Sequence, residues 1–437
     1  MPARGPPRLS GMPVRDLRST DHVAYRTLSS GAFGGSYDPA SPDAPQGFSP
    51  GEIALGIDAP ADGGSSADGA SPADVVLAAG ARIRRDRVAL GGGEVDCGGI
   101  SGLLVHPAHR GGGLFGQLVR GVLSRCADEG MALSMLYASN PEIYRRHGYQ
   151  VVAWGQSLLV PLQDLQRLRP VPGRRTLAVT EATMPRVRAL YEELTAEDNG
   201  MLRRIGPLFP PGLPGQGWCA VLLVDDAGRD RGYVSWTRRP GQEESGLDVH
   251  ELLGRDREDR LALLGVLGSW STVTEQVRLR VRTEDPVLDV LPSGRTRPAP
   301  GLVPLVMTRV IDTAALLRAR PAPSGLEGAF RLLVEDGTVS AGTCPAAGAV
   351  DVVLREGTVS AALVPGADPS AVGPTADPSA ARPTVRLDVH AAALLLTGGR
   401  SLADARRLGL RAEADSAAGA LLDALVAGPR PSVLDSF

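Results

Sequence analysis

Ile100-Ser101-Gly102-Leu103-Leu104-Val105-His106-Pro107-Ala108-His109-Arg110-Gly111-Gly112-Gly113-Leu114-Phe115-Gly116 is the stretch that decides the fold. Its first six residues read as an apolar strand. Its end opens a run in which Leu114, Leu118 and Val122, with Phe115, Val119, Leu123 and Cys126, recur at helical spacing. Three successive glycines lie between. The first-turn N–H groups of a helix have no intrahelical partner, the helix dipole is positive there, and glycine lets the backbone approach a ligand. Strand, glycine loop and helix together predict a phosphate cradle, and Arg110 adds a fixed positive charge suited to phosphate. The G-x-G-x-x-G spacing of a dinucleotide loop is also met, at Gly111, Gly113 and Gly116. Against that reading, the loop sits mid-domain after several strands, and no acidic residue about 20 positions on ends a second parallel strand. A plain turn of three glycines is the structural alternative.

Outward from this stretch, Gly130 is placed to end the helix and Met131–Tyr137 to form the next buried strand. Upstream, Val14–Leu17 predicts a short strand and His22–Ser30 a helix. Residues 38–51 and 58–75, rich in Pro, Gly, Ala, Ser and Asp, predict loops. Val75–Arg84 and Arg87–Leu90 read as two strands broken at Gly91-Gly92-Gly93. Downstream, Met184–Thr195 is helical in period. Ala220–Val224, Gly232–Trp236 and Leu247–Gly254 read as strands, Arg260–Trp270 as a helix and Arg278–Val281 as a strand. That repeats the strand–loop–helix–strand order of 100–137. The repeated loop, however, is Gly254-Arg255-Asp256-Arg257-Glu258-Asp259-Arg260, with three acids where phosphate would lie; carboxylates there repel an anion. A third unit from about Met307 shows strands at Ala329–Glu335 and Val350–Arg355, then helices around Val389–Leu396 and Leu402–Leu425.

Composition excludes several classes. The 437 residues hold 46 Lys+Arg, every one an arginine, against 49 Asp+Glu. A formal charge of −3 gives no electrostatic case for nucleic acid or an acidic membrane. Without lysine no side-chain amine forms a Schiff base, and no lysine closes a Walker-type phosphate loop. Cys97, Cys126, Cys219 and Cys344 are scattered without a C-x-x-C pair, which predicts a reducing, cytoplasmic setting and neither disulfide frame nor zinc site. No signal-peptide pattern opens the chain, and no apolar run approaches a membrane span.

The segment Val105-His106-Pro107-Ala108-His109-Arg110-Gly111-Gly112-Gly113 resembles the pyrophosphate loop of the GNAT N-acetyltransferases. Ala138-Ser139-Asn140-Pro141-Glu142-Ile143-Tyr144-Arg145-Arg146-His147-Gly148-Tyr149 looks like the A-S-x-x-x-I-Y-x-x-x-G-Y segment of the Eis (enhanced intracellular survival) family. The H-R-x-x-G-L loop of that family is matched by His109, Arg110, Gly113 and Leu114. Two departures stand out: Phe115 where Gly or Ala is usual, and Gly111 where many relatives have a second loop arginine.

The resemblance implies a mixed α/β (α+β) protein of tandem GNAT-fold domains, the second degenerate, followed by a sterol-carrier-protein-like α/β domain. The divisions are a disordered lead (1–12), an acetyl-CoA-binding GNAT domain (13–165), a GNAT-like copy without cofactor (166–305) and a C-terminal domain (306–437). It implies acetyl-CoA as co-substrate with no metal, and a small-molecule amine acceptor such as a polyamine or aminoglycoside. It also implies a homo-oligomer, hexameric in the family. The cofactor would lie against Leu103, Leu104, Val105, Arg110, Gly111, Gly112, Gly113, Leu114, Phe115, Gly116, Ser139 and Asn140.

Two residues are candidates for the chemistry. By resemblance, Tyr144 is the proton donor to the departing thiolate and Phe437 supplies the base through its terminal carboxylate. A carboxylate with an ordinary pKa of about 3.5 is a weak base at neutral pH, and burial in a low-dielectric cleft would raise it. His147, three residues beyond Tyr144, is an alternative base, as are His106 and His109. Two other classes remain open on sequence: a lipid- or sterol-binding protein working through 307–437, and a CoA-binding regulator without catalysis.

Overall fold

The computed structural model describes residues 12–41, 45–60, 75–238, 246–340, 342–366 and 382–435. Three sheets organise them. The first runs β1 (Arg15–Asp16), β2 (Glu52–Pro60), β3 (Val75–Leu90), β4 (Gly93–Val105), β5 (Leu133–Ala138), β15 (Leu305–Val310), β6 (Gln150–Trp154), with β9 (Asn199–Leu202) on the far end of β3. The second runs β14 (Arg297–Pro298), β7 (Gln156–Pro161), β13 (Gln276–Val281), β12 (Leu247–Gly254), β11 (Asp230–Arg238), β10 (Trp218–Asp225), β8 (Arg174–Ala178). The third runs β18 (Thr358–Leu363), β17 (Gly348–Arg355), β16 (Gly328–Glu335), β19 (Thr384–Asp388), β20 (Ala412–Ala414). The expected mixed α/β architecture is present.

The helices are α1 (His22–Phe33), α2 (Leu114–Asp128), α3 (Pro141–Arg145), α4 (Leu162–Gln166), α5 (Met184–Leu194), α6 (Arg257–Gly268), α7 (Thr313–Ala319), α8 (Val389–Leu396), α9 (Leu402–Arg407) and α10 (Ser416–Leu425). Helix α2 forms as its spacing predicts. Leu114, Leu118, Val119, Val122, Leu123 and Cys126 are all buried against the first sheet, and Gly130, at φ +74°, ends the run. Burying a side chain of this size is worth about 1.5–3 kcal/mol.

Three readings change. The two strands expected over 75–90 are one, because Arg84 pairs with Asp86 at 3.0 Å two positions on, on the same face, and carries the chain through its charged centre. Of the loop expected over 58–75, residues 58–60 belong instead to β2 and Val75 to β3; residues 61–74 lie outside the described set. The single helix expected over Leu402–Leu425 is split into α9 and α10 around β20, with Gly409 at φ +74° ending the first.

The first two sheets trade strands. β15 follows the second copy in sequence yet pairs with β5 of the first, from Leu305 opposite Ala138 to Val310 opposite Leu133. β7 follows the first copy yet pairs with β13 of the second, from Gln156 opposite Val281 to Pro161 opposite Gln276. The crossings touch: the Gly155 N–H donates to the Pro304 carbonyl at 2.8 Å. Each exchanged strand gives a central strand an antiparallel neighbour along the edge it would otherwise leave bare. Sheet membership therefore does not follow the sequence division at 165/166 and 305/306. The third sheet shares one core with the first: Val88, Leu133 and Val306 pack in the same cluster as Phe330, Val352 and Leu395.

Candidate active site

The glycine loop presents an uncapped helix end. Gly113 is the N-cap of α2 at φ +90° and offers no side chain to the first-turn N–H groups. Gly111, at φ +84°, turns the chain just before it. Two clefts meet at this loop. The inner one, about 430 Å³, is edged by Leu103, Leu104, Val105, Arg110, Leu114 and Phe33, among others. The outer one, about 540 Å³, is edged by Gly112, Gly116, Gln117, Arg120, Arg146 and His147, among others. Gly111, Gly113, Phe115 and Ile143 line both, so the loop stands between the two clefts. The Arg110 Nε donates to the Val105 carbonyl at 3.2 Å, folding that guanidinium back toward the end of β4.

Behind the loop, β4 and β5 part. They pair in parallel only over Cys97–Ile100 and Leu133–Leu136, leaving Ser101–Val105 without a strand on that side among the described residues. On its other edge β4 carries a bulge. Ser101 faces Arg82 and Leu104 faces Gly80, so Gly102 and Leu103 together oppose Ala81. Gly102 sits at φ +56°, and the Tyr25 hydroxyl donates to its carbonyl at 2.9 Å. A Cβ at 102 would lie 2.0 Å from that hydroxyl, so glycine is required.

Tyr144 is on α3, whose N-terminus is capped by the Asn140 side chain accepting from the Glu142 N–H at 3.2 Å. Ser139 and Asn140 are exposed at this turn. The Tyr144 ring packs edge-on against Phe115 and Tyr149, at 5.6 and 6.0 Å between centroids. Burial pushes its phenol above the ordinary value, and the hydroxyl has no hydrogen-bond partner among the described residues. A protonated phenol with an unengaged hydroxyl is what a proton donor needs.

The rival histidines separate. The His106 Nδ1 accepts from the Ala108 N–H at 3.2 Å. His109 is buried under the loop with its Nδ1 unpartnered. His147 lies beyond the end of α3, not on it, and faces the outer cleft with its Nδ1 also unpartnered. Burial lowers the pKa of both buried rings, and Arg120 adds to the effect at His147. Below about pH 6.5 an unfolded chain takes up protons that these rings decline, so stability falls as pH drops through the histidine range. His147→Gln is expected to flatten that fall between pH 7 and 5.5, read as melting temperature against pH. An unchanged slope contradicts it.

Phe437 lies outside the described residues. The segment before it is held at the junction of the two copies. The Asn199 amide donates to the Pro429 carbonyl at 2.7 Å, and the Thr283 hydroxyl to that of Pro431 at 3.0 Å. Arg280 donates to the Leu434 carbonyl and Tyr137 to that of Asp435, each at 2.6 Å. Tyr137 and Arg280 each follow the last parallel pair of their own copy, so both splays grip the same segment. Burial pushes the Tyr137 phenol up to about 12. The Asp435 carboxylate meets Arg204 at 3.0 Å and accepts from the Tyr191 hydroxyl at 3.3 Å. Arg204 also pairs with Glu251 and lies 3.9 Å over the Tyr191 ring. Arg204 and Tyr233 hold Glu251 below the usual carboxylate range; burial pushes Asp435 above it. Tyr191, Arg204, Glu251 and Asp435 edge a third cavity, about 530 Å³, with Phe209 and Trp218. Sequence reading missed Tyr137, Arg204 and Asp435, because nothing local marks residues that meet only through the tertiary fold.

The second copy fills its own cradle. The Asp256 side chain caps α6 by accepting from the Asp259 N–H at 2.9 Å. Asp259 is fully buried and meets Arg174 at 2.6 Å and Arg231 at 3.0 Å. The helix end is neutralised by carboxylates of the chain itself, as the three acids predict.

Comparisons with known proteins agree with this geometry. Residues 13–152 and residues 200–310 each match a family described as acetyltransferase (GNAT) domain. The chain is 27% identical over 273 residues to an uncharacterized N-acetyltransferase of Streptomyces coelicolor. That match covers 56% of this chain and spans 62% of the relative's length. Among solved structures, a GCN5-related N-acetyltransferase from Kribbella flavida is similar, with TM-score 0.74, 23% identity and 98% of each chain covered. Eis1 from Mycobacterium abscessus is similar with TM-score 0.67 and 20% identity, covering 98% of this chain and 100% of that one. These structural likenesses bear on the fold, which they share over nearly the whole chain. With the two matched segments together taking in more than half of its residues, the chain carries tandem GNAT acetyltransferase domains, and its fold is similar to that of Eis1.

Proposed function

We propose that the protein is an acetyl-CoA-dependent N-acetyltransferase acting on primary amines of a polyamine or aminoglycoside-like acceptor. The observation that carries this reading is the uncapped head of α2, ringed by Gly111, Gly112 and Gly113 between two clefts. Its free N–H groups and Arg110 suit a diphosphate, and the apolar inner cleft suits the pantetheine arm. Acetyl-CoA supplies the acyl group as an activated thioester. The open edge of β4 offers backbone donors along Ser101–Val105, and Tyr144 holds a proton for the departing thiolate.

The base in this reading is the Phe437 carboxylate. The bond from Tyr137 to the Asp435 carbonyl supports it, since only Ser436 separates Asp435 from Phe437. Residues 13–165 would bind the cofactor, 166–305 would serve as a copy without one, and 306–437 would form a carrier-like unit that delivers the base. A cytoplasmic homo-oligomer completes the reading. Among the described residues no helix is long and apolar enough to cross a membrane.

The test follows free thiol released from acetyl-CoA. Release is expected to depend on an added multi-amine aminoglycoside. A chain extended by several residues after Phe437 is expected to lose about 10²-fold or more in rate, the range of one general base. If no amine consumes acetyl-CoA, the enzyme reading fails. If the extended chain turns over normally, the terminal carboxylate is not the base.

A further inference from the structure

The outer cleft has no acidic residue in its lining and two arginines with no acidic partner among the described residues, Arg120 on α2 and Arg146 just past α3. Neighbouring arginines on the same elements are neutralised. Arg125 meets Asp16 at 2.7 Å and Glu129 at 2.8 Å, and Arg145 meets Glu142 at 3.6 Å. The unpaired cations are the ones that face the cleft. Between them sits His147, only 9% exposed, with an unpartnered Nδ1. Gly116 keeps the wall open there: a Cβ would lie 3.4 Å from the His147 ring and 3.5 Å from the Arg120 guanidinium.

A cation pair, an orphaned buried imidazole and a bare helix face, with no counter-charge, make a site for a phosphate group. Resting on the acetyl-CoA reading above, the position narrows which one. The inner cleft runs back along β4 toward the acyl end, and the glycine loop takes the diphosphate. The outer cleft therefore lies on the nucleotide side.

We propose that Arg120 and Arg146 form a second phosphate subsite that takes the 3′-phosphate of the CoA nucleotide and distinguishes CoA from 3′-dephospho-CoA. Each guanidinium can meet a phosphomonoester with two parallel N–H donors.

The experiment is calorimetric binding of CoA and 3′-dephospho-CoA to the full chain, at low and at physiological salt. The wild type is expected to bind CoA about tenfold tighter, about 1.4 kcal/mol, with the preference shrinking as salt screens these exposed side chains. Arg120→Gln with Arg146→Gln is expected to abolish the preference and leave 3′-dephospho-CoA affinity unchanged. Arg120→Lys with Arg146→Lys is expected to retain part of it. Melting temperatures equal to wild type establish that each variant is folded. Equal wild-type affinity for the two ligands, or an equal loss of both in the glutamine variant, overturns the subsite. No binding of either ligand by the wild type removes the acetyl-CoA reading, and the subsite with it.

Discussion

Tyr144→Phe is expected to lower kcat by about 10²–10³-fold while KM for acetyl-CoA stays within about twofold. The substitution removes one oxygen that makes no hydrogen bond among the described residues, so it leaves no partner unsatisfied. The edge contacts with Phe115 and Tyr149 involve only the ring and survive. Stability should hold, and the change isolates proton donation. A phenol raised above its usual value stays protonated throughout the neutral range, so the wild-type alkaline limb should not bend near pH 9. A leaving thiol more acidic than CoA needs less protonation and should lose less rate in the variant. A variant within about threefold of wild type would contradict the assignment and return attention to a water or a backbone group.

Arg204→Met is expected to destabilise the fold by about 3–5 kcal/mol, read as a lowered urea midpoint. Methionine keeps much of the stem's packing against Tyr191 but leaves Glu251 and Asp435 buried without a countercharge. In the variant both carboxylates have folded pKa values above their unfolded ones. A raised carboxylate contributes stability at low pH that is lost as pH rises, so the penalty should grow between pH 4.5 and 8. Adding Glu251→Gln and Asp435→Asn should recover part of the loss. An unchanged midpoint, or a penalty that shrinks with rising pH, would contradict the charge account. Because Arg204 grips Asp435, the variant should also lose activity through the tail, with kcat falling at temperatures well below unfolding.

The cradle was legible because its signals are local. Apolar spacing along Leu114–Cys126, the glycines at 111–113 and the stop at Gly130 need no tertiary information, and all formed as read. The acids at 256, 258 and 259 were equally readable, because a helix head and its caps lie within a few residues. The charged middle of β3 misled, since Arg84 and Asp86 look like turn residues until their pairing is seen. Gly409 was available to end α9 but was outweighed by the apolar period on either side. The exchange of β7 and β15 had no signature at all: both strands alternate like any other, and their partners lie far away in sequence. Arg120 and Arg146 look like solvated surface charge until the neighbouring arginines are seen to be paired.

That exchange has a consequence for how the chain is made. The first sheet needs residues 305–310, so β5 waits beside an empty place until roughly 170 further residues have been added, about 9–34 s at ribosomal speeds. During that interval the edge of β5 is exposed to any other nascent strand, and the second copy has the same need for β7, already made. Neither copy is a free-standing cassette that recombination could lift out.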